Sequence, residues 1–413
     1  MNILLTSYWS YPATGAIDVY LRMLSSELAQ RGHRVMILAR NGWDRLQLTP
    51  DGSSCDLRAT GNGVVRALWS HFGTRYALPP DWVMQREGEQ YVYELGALKL
   101  CAGLDVDLVH AHDIHSARAL RRVSPGNIPV ILTTHGLLAY EWLVEKRIPG
   151  DVSMEWRYTF FRERAGILAS SVTVTPSEWM ATQYRHVFRV APGRLEVIPY
   201  GFDPGSYWER AMLPPRELPS LADRKVITCV ARLVPLKGHV HLLDALVQVS
   251  NQIPNAICLL AGDGPHEFHL RRLVEAKRLE RMVFFLGRRD DVPAILARTH
   301  AFVLPSLHEV TPLAISEAQL LGVPVVASAV GGIPELIEHG RTGMLVPPGD
   351  PTTLARMLVR VLTDDDLART LSTQGSQEVA TRRTWALHCE RLLSLYGQVL
   401  DLKPSGTSKR GQA

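Results

Sequence analysis

Short apolar runs alternate with helix-spaced stretches along most of the chain, and the alternation restarts once near its middle. The first run is Ile3 to Thr6. After a turn, Val19, Tyr20, Met23, Leu24 and Leu28 recur at helical spacing between Asp18 and Leu28. Gly32 ends that helix, and Val35 to Ala39 is a second run. This β-loop-α-β unit predicts the start of a parallel sheet. Further strands are predicted at Asp107 to Ala111, Val130 to Thr134, Val172 to Thr175 and Leu195 to Ile198. Each is followed by a polar turn and a helical pattern, so both sheet faces are covered. Residues 43 to 90 are less regular, rich in Gly, Pro and polar groups, and read as loops and short elements.

Near residue 200 the texture changes. The turn cluster IPYGFDP and the Pro-rich MLPPRELPSLADRK predict a domain boundary there. Strands then resume at Val226 to Val230, Ala256 to Ala261, Val283 to Leu286, Ala301 to Leu304 and Val325 to Ala327. Helices such as His239 to Val249 and Phe268 to Lys277 lie between them. The predicted fold class is therefore α/β, with two doubly wound Rossmann-like domains at 1–204 and 205–384. A last helix spans about 385–400, and the polar tail 403–413 is expected to be disordered. Ligands in such sheets bind outside the carboxyl ends of the strands, and two facing sheets would place a cleft between the domains.

Composition narrows the function classes. The 45 Lys+Arg against 41 Asp+Glu give a formal charge of +4, too mild to argue for nucleic acid. No run of 18 apolar residues occurs, and MNILLTSYWSYP has no basic leader. The five cysteines form no CxxC pair, and Cys229 and Cys258 sit inside apolar runs. These features point to a reduced, cytoplasmic setting.

The segment from Leu304 to Asp350 carries the most chemistry. Glu309 follows a strand. Thr311 is placed to cap the next helix, with Pro312 at its first position. A helix start presents free N–H groups and a positive dipole end to a phosphate. Glu317 lies eight residues after Glu309. Paired carboxylates beside an anion site suit sugar hydroxyls, although spacing alone equally fits a solvated helix start. In ARLVPLKGH, Arg232 and Lys237 follow a strand end, where a basic pair can neutralise a diphosphate or be merely solvated.

These phrases resemble the signature of the retaining glycosyltransferases of family 4, which have the GT-B fold. The Glu-x7-Glu motif falls on Glu309 and Glu317, and GxPVVAS, GGIPE and TGxLVPPGD match around it. The likeness covers nearly the whole chain. It implies that Glu309 meets sugar hydroxyls of a nucleotide-diphospho-sugar and Glu317 the ribose. The segment Val310, Thr311, Pro312 and Leu313 would form the phosphate-binding helix start. The R-x4-K pattern on Arg232 and Lys237 implies pyrophosphate contacts, so that neither cofactor nor metal is expected. Gly262 and Gly264 in LLAGDGP, and Arg288, are similar to residues near the nucleobase. VGGIPE resembles the loop beside the sugar and phosphates. Family members usually carry two adjacent glycines near residue 14, where this chain has Thr14 and Gly15, and Gly15 is expected at the donor phosphate.

His135, at the end of TTHG, matches a strand-end histidine of the family and is expected to assist transfer. His112 and Asp113 in HAHDIHS are expected near the acceptor. A metal reading of that cluster is disfavoured, because strand residues alternate between faces. Arg157, Arg162 and Arg164 lie among aromatics in MEWRYTFFRERAGIL, which suits either an anionic membrane surface or a solvated helix face.

The expected activity is that of a retaining, metal-independent hexosyltransferase using a UDP- or GDP-sugar. Its acceptor would be a sugar, a lipid-linked sugar or a small molecule in the synthesis of polysaccharide, glycolipid or glycoconjugate. Three rivals are a sugar-nucleotide epimerase or phosphorylase of the same fold, a non-catalytic sugar-nucleotide module and a dinucleotide oxidoreductase. The last is weak because no G-x-G-x-x-G follows the first strand.

Overall fold

The computed structural model describes residues 1–12, 16–76, 82–144 and 148–401. The chain divides into two compact units. Unit 1 comprises Met1–Thr175, Ala181–Ile198 and the C-terminal segment from Cys389; unit 2 comprises Pro176–Met180 and Pro199–His388. Besides the excursion at Pro176–Met180, the divisions fall at 198/199 and 388/389. The predicted tail 403–413 lies outside the described residues.

Unit 1 is built on eight strands: β1 (Asn2–Ser10), β2 (Arg34–Arg40), β3 (Arg45–Thr49), β4 (Ser54–Asp56), β5 (Leu108–Ala111), β6 (Val130–Thr133), β7 (Val172–Thr175) and β8 (Leu195–Val197). Their order is β4-β3-β2-β1-β5-β6-β7-β8. From β2 to β8 every pair is parallel, while β3 and β4 add antiparallel edge strands. Leu4 pairs in register with Met36 on one side and Val109 on the other. Such strands are apolar on both faces because helices cover both.

Residues 43 to 90 are not mainly loops, as the sequence suggested. They supply β3, β4, the helix Leu57–Tyr76 and the first part of the helix Trp82–Cys101. The second helix hides its inward face from a hydrophobicity reading. Its buried positions include Gly88, Gln90, Glu94 and Gly96. Gln90 donates to Glu94 and to the His115 carbonyl, at 3.2 and 3.0 Å. Gly96 lets the helix close onto Leu57 and Leu46.

Unit 2 carries six parallel strands: β9 (Lys225–Val230), β10 (Ala256–Ala261), β11 (Val283–Gly287), β12 (Ala301–Leu304), β13 (Val325–Ser328) and β14 (Met344–Val346). Their order is β11-β10-β9-β12-β13-β14. The chain starts at the centre, winds outward to β11 and returns beside β9. The strand order therefore reverses between β9 and β12, and the loops at their carboxyl ends diverge there. Leu242, Leu246 and Leu358 bury one face of the sheet; Ile315, Ile333 and Leu336 bury the other. His300 binds across the start of β9, its Nδ1 accepting from the Val226 N–H at 3.0 Å.

The helix Trp385–Asp401 joins unit 1 from Cys389 on. Tyr396 is fully buried there, its hydroxyl 2.6 Å from His110 Nδ1. The other His110 nitrogen lies 2.7 Å from the Thr133 hydroxyl. Tyr396→Ala removes a buried ring and strands the imidazole, so it is expected to cost about 3–5 kcal/mol. Urea unfolding followed by near-UV circular dichroism checks this, and a wild-type midpoint would show that the helix is dispensable to unit 1.

Candidate active site

In unit 2 the strand-end loops are laced by backbone. The Leu233 N–H donates to the Asp263 carbonyl at 2.7 Å, and the His266 N–H to the Leu233 carbonyl at 3.0 Å. The Leu307 N–H donates to Leu236 at 2.8 Å, and the Gly332 N–H to Val310 at 3.1 Å. These bonds tie the loops after β10, β9, β12 and β13 in spatial order. Glycines permit the close approach. A Cβ on Gly262 would overlap the Ala231 carbonyl, and one on Gly331 (φ +58) would overlap that of Glu309. Gly262 and Gly264 thus hold the loop that carries Arg232, a structural task beside the nucleobase contact expected of them.

The lacing brings Lys237 to Glu309. Lys237 Nζ lies 2.6 Å from Glu309 Oε1, and the buried Ser306 hydroxyl donates to the same oxygen at 2.8 Å. Glu309 is only 7% exposed, so its charge is held by a cation and a hydroxyl and not by water. Arg232 stands exposed on the same loop as Lys237, and Arg288 is exposed just after β11. The sequence did not single out Ser306 as a partner, although it lies three residues before Glu309.

One expectation, the helix start, needs correction. The helix after Glu309 is Leu313–Leu320, with Pro312 at its N-cap and no side-chain cap bond. Thr311 does not cap it; its hydroxyl is buried without a partner. The extended Pro312 (φ −74, ψ 114) delays the first helical turn by one residue. Leu313 is half-buried and Val310 buried. Glu317 is also engaged inside the protein: the Tyr207 hydroxyl donates to it at 2.6 Å, and enclosure raises its pKa. Tyr207 is 110 residues away in sequence, so no local spacing reveals that bond.

In unit 1, His112 and His135 follow β5 and β6. Their rings stack at 5.6 Å with an interplanar angle of 19°, and His112 Nδ1 lies 3.4 Å from His135 Nε2. Tyr20 meets His135 edge-on at 5.3 Å. Both histidines line a pocket of about 260 Å³ with Trp9, Thr134 and Glu141. Asp113 borders it too, but its carboxylate is a helix cap. It accepts from the N–H groups of Tyr8, His115 and Ser116 at 2.6, 3.0 and 2.8 Å. Gly15 lies outside the described residues. Among the described residues no group of three His, Cys, Asp or Glu is placed to hold a metal ion.

The helix Met154–Ala169 does not present its arginines together. Arg162 is buried, donating to His115 Nδ1 at 2.8 Å. Arg164 donates to the Phe188 carbonyl at 3.0 Å, and Arg157 alone of the three is exposed. The basic face that suggested membrane contact is thus absent from this helix. No helix among the described residues is long and apolar enough to cross a membrane.

Known proteins match both units. The model described as Glycosyltransferase Family 4 covers residues 17–206, and that for Glycosyl transferases group 1 covers 215–378. D-inositol 3-phosphate glycosyltransferase of Corynebacterium efficiens is 30% identical over 419 residues, spanning 95% of this chain and 92% of that protein. Sucrose-phosphate synthase from Thermosynechococcus elongatus superposes with a TM-score of 0.73 at 24% identity, over 97% and 99% of the two chains. The Anabaena protein Alr3699/HepE, solved with UDP-glucose, gives 0.70 at 20% identity over 96% and 100%. The chain belongs to the group 1 glycosyltransferases of GT-B fold.

Glu163, which also lines the unit 1 pocket, accepts from the Leu138 and Ala139 N–H groups at 3.2 and 2.9 Å and from the Tyr184 hydroxyl at 3.3 Å. Burial nevertheless pushes its pKa up to about 8. The native state then holds a proton that the unfolded chain releases near the ordinary value of 4.5. Its contribution is full below that value and declines as pH rises toward 8. Glu163→Gln is expected to flatten the fall in stability over this window, read from urea midpoints at pH 5 and pH 8. An unchanged slope would show that Glu163 is ionised in the folded protein.

Proposed function

We propose that the chain transfers a hexosyl group from a nucleotide-diphospho-sugar to an acceptor hydroxyl with retention at the anomeric carbon. The observation that carries the proposal is the Lys237–Glu309 pair at the strand-order reversal of unit 2, beside a helix start and the unpartnered Thr311 hydroxyl. A half-buried lysine beside a carboxylate is a charge pair that a diphosphate can enter, since Lys237 has further donors to give. Arg232 and Lys237 stabilise the negative charge that grows on the diphosphate as the anomeric C–O bond breaks. The Thr311 hydroxyl and the N–H groups from Leu313 onward add donors to the same anion. Pro312 has no N–H to give. Glu309 accepts from hydroxyls of the transferred sugar, and the second oxygen of Glu317 is left for the ribose. Gly262, Gly264 and Arg288 flank the base.

The bond from the anomeric carbon to the acceptor oxygen forms on the face the diphosphate leaves. The acceptor proton passes to the departing diphosphate, so atoms and charge balance without an enzymic nucleophile. His135 and His112 orient the acceptor on unit 1. The reaction as drawn needs no metal, because the cationic side chains meet the developing charge. UDP is the favoured diphosphate: the Anabaena neighbour is described with UDP-glucose, and a GDP-sugar is the other arm of the test. On this reading the product belongs to polysaccharide, glycolipid or glycoconjugate synthesis, and we propose the cytoplasm as the place of the reaction.

Lys237→Ala and Glu309→Ala are each expected to lower kcat at least ~100-fold with the fold intact. Release of UDP or GDP from a panel of sugar nucleotides, with chelator present, checks this. Near-native turnover in both variants would refute the site. Conversion of the donor without any acceptor would favour an epimerase.

A further inference from the structure

Glu317 stands one turn into the helix Leu313–Leu320, four residues after Leu313 and so on the same face. The Tyr207 hydroxyl donates to its Oε1 at 2.6 Å, the length of a charge-assisted bond. Among the described residues no other hydrogen bond reaches the Glu317 carboxylate, so its second oxygen is open to a ligand.

The phenol that makes this bond is itself held from several sides of unit 2. Tyr207 lies on the helix Pro204–Met212, capped by Asp203. Its ring meets Phe202 edge-on at 5.9 Å and packs on the cluster of Phe202, Leu320 and Val379, which also receives Leu313. Phe202 is tied by its backbone: its N–H donates to the Arg383 carbonyl at 2.8 Å, and its carbonyl accepts from the Trp385 N–H at 2.7 Å. Arg210, three residues on, lies 5.7 Å from the centre of the Tyr207 ring and donates to the Asp290 carbonyl at 2.8 Å, in the loop after β11. A hydroxyl anchored in this way fixes the carboxylate by one oxygen. It also opposes the enclosure that raises the Glu317 pKa, because a donor favours the ionised form, and Arg210 acts in the same sense. Tyr207 and Arg210, both on this helix, are the titratable and charged groups that reach Glu317 among the described residues. An ionised carboxylate held in place accepts from a hydroxyl, whereas a protonated or turned one loses that acceptor.

We propose that Tyr207 is a positioning residue for the nucleotide: it holds Glu317 so that the second carboxylate oxygen takes a ribose hydroxyl, and it thereby makes affinity depend on that hydroxyl. The proposal rests on the transferase reading above, in which Glu317 meets the ribose. It adds that this contact is set from the helix Pro204–Met212, 110 residues earlier in the chain.

Calorimetric titration of the full chain tests it, with UDP, GDP and the 2′,3′-dideoxy form of each as probes. The wild type is expected to bind the ribonucleotide of its preferred base at least about tenfold more tightly than the dideoxy form. Tyr207→Phe keeps the ring and removes only the hydroxyl. It is expected to weaken the ribonucleotide about tenfold and to leave the dideoxy form unchanged, which also reports an intact fold. In Glu317→Ala the ratio is expected to collapse likewise, and adding Tyr207→Phe to that variant is expected to change nothing further. Ribonucleotide affinity in Tyr207→Phe is expected to fall away at a higher pH than in the wild type, since Glu317 without its donor takes up a proton more readily. A merely structural tyrosine would weaken both forms alike. An unchanged ratio in Tyr207→Phe, or equal loss of both forms, would therefore overturn the proposal and leave the donor reading standing. Equal affinity of the wild type for ribonucleotide and dideoxy form would overturn the ribose contact and the proposal with it. Failure of every probe to bind the wild type would overturn the donor reading as well.

Discussion

A lysine and a glutamate 72 residues apart meet at 2.6 Å in unit 2, and the surrounding loops are built to keep them there. The meeting depends on the strand order. Because β9 lies between β10 and β12, the loops after these strands leave the sheet side by side and bond through their backbones. Gly262 and Gly331 are required where carbonyls of neighbouring loops pass too close for a Cβ. A charge pair of this kind gains little stability against its desolvation cost. In the proposed reaction its value lies in holding an ammonium and a carboxylate ready for a ligand that carries both phosphate and hydroxyls.

Much of this was legible in the sequence, for identifiable reasons. Parallel strands buried on both faces read as continuous apolar runs, which is why β9, β10 and β12 stand out. Glu309, Lys237 and Arg232 were singled out through the resemblance to a family, since their spacing alone equally fitted solvated side chains. The region from 43 to 90 was not, since its second helix turns Gln90, Glu94 and Gly96 inward and shows no apolar stripe. Thr311 was read as a helix cap because its residue type and position fit one, whereas Pro312 holds the backbone extended for one residue more. Contacts such as Tyr207 with Glu317 join segments over a hundred residues apart, and nothing local encodes them.

The two units use carboxylates in opposite ways. In unit 2, Glu309 is paired with a cation and leaves the helix start at Leu313 open to an anion. In unit 1, Asp113 and Glu163 accept from the N–H groups of the helix starts beside the pocket. The helix Met154–Ala169 shows a related economy of charge: Arg162 supports His115 from inside the fold and is not displayed to solvent. A motif-level reading assigned these residues by type, and the structure separates them by what each one already binds.

The most direct test of the central claim is a crystal structure of the chain soaked with UDP or GDP. The account predicts the diphosphate within hydrogen-bonding distance of Lys237 Nζ, the Thr311 hydroxyl and the Leu313 N–H. A diphosphate bound elsewhere on the chain, with Lys237 and Glu309 still paired and untouched, would contradict it.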